Sequence, residues 1–280
     1  MSESLYVLNG GIGKNICFTS CLKGLQNINI MSPWPKIFLH HPNVNFSYNI
    51  NITPLLDKSD FLQKFEKVHF VEAYDKYFFM NKIHLVNNFR RITNQSILEN
   101  AFNEIYFSHD EEDRLKPILS KLENFVLVQF VGSDEHEAET DFEGTRSLTK
   151  DLAQSIIDVL NFDLKLNVVN VFSQKNLFKN TSQIDQPLCY RNYAHMIKYA
   201  KGFIAIDSCL NHMSANRFCS TRGVVLWNDH NANYRFNYSK NCNITTKTPN
   251  VMRFDINNVI DNFTKISTEN ENDKARRTAQ

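Results

Sequence analysis

The sequence predicts an α/β protein built from two Rossmann-like domains whose parallel sheets face each other across a cleft. Short apolar runs alternate with amphipathic stretches, as they do in βαβ units. The alternation runs through two series, 1–122 and 123–266, and each has a Gly- or Ser-bearing loop after its first strand.

In the first series, Leu5-Tyr6-Val7-Leu8 reads as a strand that ends at Asn9-Gly10-Gly11-Ile12-Gly13. A helix follows, because Phe18, Cys21, Leu22 and Leu25 recur at helical spacing. Ile28–Met31 is a second strand, stopped by Ser32-Pro33-Trp34-Pro35, and Val68–Val71 is a third. Residues 74–107 are aromatic and irregular, and Asp110–Leu122 is a charged amphipathic helix. The second series opens with Phe125–Phe130, a nearly continuous apolar run suited to a strand covered on both faces. Thr149 caps a helix to Leu160, with Leu152, Ile156 and Leu160 on one face. Strands at Val168–Phe172, Phe203–Ile206 and Val224–Trp227 alternate with helices at Cys189–Ala200 and Leu210–Phe218, and Asp255–Phe263 is the last helix. The polar stretch 267–280 is expected to be disordered.

The chain has 280 residues, 42% of them hydrophobic, enough for a sizeable core. Its 31 Lys and Arg stand against 30 Asp and Glu, for a net charge of +1. That balance gives no footprint of a dedicated nucleic-acid or anionic-membrane binder. No stretch reaches the roughly 18 apolar residues of a spanning helix, and the N-terminus lacks a signal-peptide build, so a cytoplasmic protein is expected. The cysteines show no C-x-x-C spacing and the histidines no helical pairing with carboxylates, so no metal site is expected.

Chemistry concentrates in two places. In the turn Asn9 to Lys14, glycines let a ligand approach the backbone, and Gly11, Ile12, Gly13 and Lys14 open a helix with free N–H groups. A deviant phosphate-binding loop of an ATPase is a rival reading. Against it, Asn15 stands where a magnesium-holding hydroxyl belongs and Leu8 where the first glycine belongs. The second place is the run from Phe203 to Ala215, where an apolar strand delivers Asp207 and Ser208 at its C-terminal end and the next helix carries His212. A helix cap plus a core histidine would use the same residues. Tyr234, Phe236 and Tyr238 alternate beyond it, as a loop on the core or a pocket lining.

The pattern D-[ST]-x-x-x-H after an apolar strand resembles the donor-site segment of family 9 glycosyltransferases, the ADP-heptose:lipopolysaccharide heptosyltransferases and their short relatives. The N-terminal strand with Gly10-Gly11-Ile12-Gly13, the Ile28–Asn43 stretch, and Gln129–Ser133 followed by Thr145–Leu148 are similar to that family in the same order. The resemblance implies a GT-B fold and inverting transfer from a nucleoside-diphosphate-sugar, with no divalent metal and no further cofactor. Carried over, Ser133 and Arg146 contact the diphosphate, and Asp207, Ser208 and His212 complete the donor pocket. Leaving-group charge would then be met by Arg146, Lys14 and the turn at Ser208.

Two positions depart from the family pattern. Lys14 stands where the family carries an acid thought to deprotonate the acceptor, so the base lies elsewhere, with Asp134, Glu135 and His109 as candidates, or Lys14 serves a phosphate. Cys209 stands where glycine is usual. The implied acceptor is a glycan such as lipopolysaccharide core. A hydroxylated base in viral DNA is the alternative, for which Lys82, Arg90 and Arg91 would form the basic patch. A catalytically inactive nucleotide-sugar binder is a further alternative, prompted by Lys14.

Overall fold

Every strand described in the computed structural model pairs in parallel with its neighbours. The structure describes residues 3–51, 58–132, 146–171, 177–182, 184, 188–248 and 252–278. The chain divides into unit 1, residues 1–108 with 216–218, and unit 2, residues 109–215 with 219–280.

Unit 1 runs β1 (Ser4–Leu8), α1 (Ile12–Phe18), β2 (Ile28–Ser32), β3 (Val44–Asn49), α2 (Lys58–Leu62), β4 (Lys67–Val71), α3 (Lys76–Met80) and α4 (Leu85–Ile92). Its sheet has the order β3-β2-β1-β4. Asp75 caps α3 by accepting from the Phe78 N–H at 2.8 Å, and His84 caps α4 by accepting from Val86. The edge strand β3 was not expected from the sequence. None of its residues is fully buried, so it lacks the apolar run that marks its neighbours.

Unit 2 runs α5 (His109–Leu119), β5 (Phe125–Gln129), α6 (Lys150–Asp158), β6 (Asn167–Asn170), α7 (Tyr190–Met196), β7 (Gly202–Ile206), α8 (Cys209–Ser214), β8 (Val224–Trp227), α9 (His230–Phe236), β9 (Cys242–Thr245) and α10 (Ile256–Thr278). The sheet order is β6-β5-β7-β8-β9. Central strands β5, β7 and β8 are buried at every residue, which explains their unbroken apolar sequence. The half-buried edge strand β9 escaped sequence reading as β3 did.

Several boundaries differ from those expected. Helix α5 belongs with unit 2, because Leu115 lies in its core and Arg191 of α7 grips Glu111 of α5 at 2.6 and 2.7 Å, so the division falls at 108/109 rather than 122/123. Helix α8 stops at Ser214 because residues 216–218 leave for unit 1. Tyr234 and Phe236 lie on α9, and Tyr238 is buried beyond it.

The stretch 267–280, expected to be disordered, is helical as far as Thr278. Its anchors are polar and therefore silent in a hydrophobic pattern. Asn270 is buried and donates to the Lys201 and Arg222 carbonyls, Lys274 donates to the Ala200 carbonyl, and Arg222 pairs with Glu269 and Asp273. Gly202 lets α10 approach β7: a Cβ there would lie 2.9 Å from the Phe263 ring. Among the described residues no helix is long and apolar enough to cross a membrane.

Unit 1 claims residues 216–218 through a buried polar clamp. Asn216 donates to the Ile105 carbonyl at 2.9 Å, and the Arg217 N–H donates to the Asn103 carbonyl at 2.9 Å. The Arg217 guanidinium meets Glu104 at 2.5 Å, while Tyr106 donates to the same carboxylate and His41 Nε2 lies 3.6 Å away. Burial opposes ionisation of Glu104, whose side chain is 1% exposed, yet His41, Arg217 and Tyr106 hold its pKa at about 2 against an ordinary 4.5. A depressed carboxylate pKa stabilises the fold above the unfolded value and loses that stabilisation as pH falls toward the folded one. Urea denaturation of the full chain should therefore show stability falling between pH 4.5 and 2 by on the order of 3 kcal/mol from this group. Glu104→Gln should be less stable at pH 7 and lack this acid-dependent loss. An unchanged acid profile in the variant would show that the clamp carries no charge.

Candidate functional site

In unit 1 the chemistry gathers where β1 and β4 end. The β1 chain turns at Gly10, whose φ of +81° suits glycine, and a Cβ there would stand 3.1 Å from Lys14 Cδ. Gly11 is the exposed N-cap of α1, and Ile12 and Gly13 form the first turn. Asn15, fully buried, supports the turn from beneath by donating to the Gly11 carbonyl at 2.9 Å and more distantly to those of Asn9 and Gly10. Its Oδ1 accepts from Ser32, and Trp34 Nε1 donates to the Gly10 carbonyl. Asn15 is thus a structural brace with no room to serve a magnesium ion, and the phosphate-binding-loop reading gains no support.

Lys14 does not stand open to a phosphate, as the sequence suggested. It is 5% exposed, and its Nζ donates to Asn9 Oδ1 and Glu72 Oε1, each at 2.7 Å, with the Tyr74 ring centroid at 4.9 Å. A phosphate would have to displace Glu72. Glu72 follows β4 directly, and its side chain is 49% exposed. Its Oε1 also accepts from the Tyr74 N–H at 2.8 Å. Partial burial works against its ionisation, but Lys14 and the Tyr74 amide outweigh it and lower the pKa. The sequence offered a signal for Glu72 that went unused: it is the first polar residue after an apolar strand, as Asp207 is.

The basic patch suggested for DNA is not formed by its two arginines. Arg90 donates to the Ser20 and Ser96 carbonyls, and Arg91 engages Asn88 and Asp75 and lies 4.3 Å from the Tyr77 ring centroid. Both are committed to their own fold.

In unit 2 the site lies at the C-terminal ends of β5 and β7, which are neighbours in the sheet. The Gly132 N–H donates to Ser147 Oγ at 2.9 Å and the Leu148 N–H to the Phe130 carbonyl at 2.9 Å, so the chain returns to the end of β5 at 146–148. Arg146 is exposed there and its Nη1 lies 3.4 Å from the Asp207 carbonyl oxygen. Ser208, the N-cap of α8, is buried, and its hydroxyl has no hydrogen-bond partner among the described residues. Gln129 does part of the capping instead: its Oε1 accepts from the Leu210 N–H at 3.3 Å and lies 3.7 Å from the Cys209 thiol. The structure thus unites Arg146, Asp207 and Ser208, and sequence reading missed Gln129.

His212 is buried on α8, with Nδ1 2.9 Å from the Tyr238 hydroxyl and its ring edge-on to Phe236 and Tyr238. Ser133 lies outside the described residues, as do Asp134 and Glu135. The third suggested base, His109, opens α5 fully exposed, 3.7 Å from Glu112.

No protein-family model matches the sequence, and neither does any curated protein. Solved structures do. The ADP-heptose lipopolysaccharide heptosyltransferase II of E. coli is 12% identical, with a TM-score of 0.69 over 97% of this chain and 100% of its own. A family 9 glycosyl transferase from Veillonella parvula is 8% identical, with a TM-score of 0.66 over 96% and 98%. E. coli heptosyltransferase WaaC with ADP is 10% identical, with a TM-score of 0.62 over 96% and 99%. The chain thus has the α/β fold of these enzymes, two parallel-sheet units of the GT-B kind.

Asp207 yields a pH test. Burial pushes its carboxyl up to about 6 from 3.8, with Arg146 pulling the other way. A raised carboxyl pKa means that the fold favours the proton, so this group's stabilisation is present below pH 3.8 and lost as pH rises through 6. Asp207→Asn should therefore gain on the order of 1–2 kcal/mol over the native chain at pH 8, allowing for partial exposure, and little at pH 4. Urea midpoints at the two pH values check this. An equal difference at both would mean that the carboxylate is not desolvated.

Proposed function

We propose that this chain is a glycosyltransferase that moves a sugar from a nucleoside-diphosphate-sugar to an acceptor hydroxyl, with inversion and without a divalent metal. The grouping of Arg146, Asp207 and the Ser208 hydroxyl, unpartnered among the described residues, at the ends of parallel strands carries the reading, in a fold shared with heptosyltransferases along nearly its whole length. Ligands bind outside the C-terminal ends of such strands. Unit 2 supplies what a diphosphate needs there: a guanidinium for the phosphate oxygens and a hydroxyl able to donate. The Asp207 carboxyl suits a donor hydroxyl of the ribose or sugar.

When the sugar–phosphate bond breaks, negative charge grows on the departing diphosphate. Arg146 is placed to stabilise that charge more strongly in the transition state than in the bound donor. Neighbouring structures solved with ADP and with ADP-2-deoxy-2-fluoro heptose make adenosine diphosphate sugars the first donors to try. A glycan acceptor of the lipopolysaccharide-core kind fits the likeness to the ADP-heptose lipopolysaccharide heptosyltransferase II.

Thermal-shift measurements against adenosine, uridine and guanosine diphosphates and their sugars, with magnesium or with EDTA, test the proposal. One nucleotide class should stabilise the chain equally in both. Arg146→Ala and Ser208→Ala should each weaken that binding roughly tenfold, the cost of about one charge-assisted hydrogen bond. The product of transfer should carry the opposite anomeric configuration to the donor. No stabilisation by any nucleoside diphosphate would sink the proposal, and stabilisation without sugar release would leave a binder.

A further inference from the structure

We propose that Glu72 is the general base of this glycosyltransferase, taking the proton from the acceptor hydroxyl, and that Lys14 positions it. The assignment rests on the proposed function and concerns the acceptor rather than the donor. In the transfer the acceptor O–H bond breaks and its proton passes to a Glu72 oxygen. The acceptor oxygen forms the new bond to the anomeric carbon. The bond from that carbon to the β-phosphate oxygen breaks, and its electron pair leaves with the nucleoside diphosphate.

Glu72 meets the requirements of that role. It stands at the C-terminal end of β4, beside the Gly10–Gly11 turn after β1, where a parallel sheet presents groups to ligands. Lys14 Nζ and the Tyr74 N–H both engage Oε1, and the side chain keeps half of its surface open. Two donors on one oxygen fix the carboxylate plane without closing the group to an acceptor. Phe70, on β4 two residues before Glu72, is 73% exposed and offers an apolar face to a sugar ring. Lys14 is the charged neighbour acting on Glu72, with Asn9 and the Tyr74 amide as neutral donors, and together they keep it ionised at neutral pH.

A buried lysine spent only on stability would pair as well with a carboxylate closed from solvent, as Arg217 does with Glu104. Leaving the acid half open weakens the ion pair and makes the carboxylate accessible.

The test uses the full chain, an ADP-sugar that stabilises it in thermal shift, and water as the acceptor, with ADP release followed in single turnover. Glu72→Gln, which keeps an oxygen for Lys14 and the Tyr74 amide, should slow release by about a hundredfold or more while donor affinity stays within about twofold. Glu72→Asp should retain part of the rate. The native rate should fall on the acid side as Glu72 protonates, and Lys14→Met should move that limb to higher pH, a shift that a purely structural lysine would not cause. A folded Glu72→Gln variant with the native rate overturns the assignment. So does an acid limb unmoved in Lys14→Met, which decides the matter should Glu72→Gln not fold. Donor binding by the native chain with no sugar release overturns catalysis and base together, whereas absence of any nucleotide binding removes the functional reading itself.

Discussion

Parallel pairing, with the central strands of the unit 2 sheet covered on both faces, is the constraint from which the rest of this structure follows. Strands such as β5, β7 and β8 are buried end to end, so they have no exposed face on which to carry polar groups. Within each sheet the described strands run in the same direction, so the chain leaves every strand of that sheet at the same edge. Polar residues collect at that edge: Asn9 after β1, Ser32 at the end of β2, Glu72 after β4, Gln129 at the end of β5 and Asp207 after β7. The candidate site in each unit is a consequence of that crowding.

Within this frame the molecule uses acid–base pairs in two different ways. Glu104 and Arg217 form a pair whose acid is almost fully enclosed and satisfied by His41, Tyr106 and the guanidinium together. Removing one partner there leaves a buried charge without compensation, so the pair serves specificity of the fold, holding 216–218 to unit 1. Lys14 and Glu72 reverse the arrangement. The base is enclosed and the acid half exposed, so the carboxylate remains reachable while its orientation is fixed from behind. Burial of the partner, rather than the strength of the pair, separates the two uses.

Unit 2 shows a third arrangement. Asp207 is desolvated, Arg146 offsets only part of that burial, and among the described residues the Ser208 hydroxyl has no hydrogen-bond partner. Unfavourable groups set together at strand ends contribute little to stability, and this is the grouping on which the proposed donor site rests.

Much of the fold was legible in the sequence because hydrophobic periodicity reports burial. The central strands, the glycine turn, the cap at Thr149 and the Asp207–Ser208 pair all stand where the pattern puts them. Edge strands β3 and β9 were not legible, because half-exposed strands carry no apolar run. Nor was the extension of α10, whose anchors at Asn270 and Lys274 are polar and bind carbonyls distant in the chain. Glu72 and Lys14 lie 58 positions apart, and no local pattern links them. The sequence by itself determined which residues follow the apolar strands, because that follows from alternation along the chain. Only the tertiary structure decided which of them meet. The β1–β4 pairing that brings Lys14 to Glu72, and the fold that returns Arg217 to Glu104, are long-range choices made by packing the whole sheet.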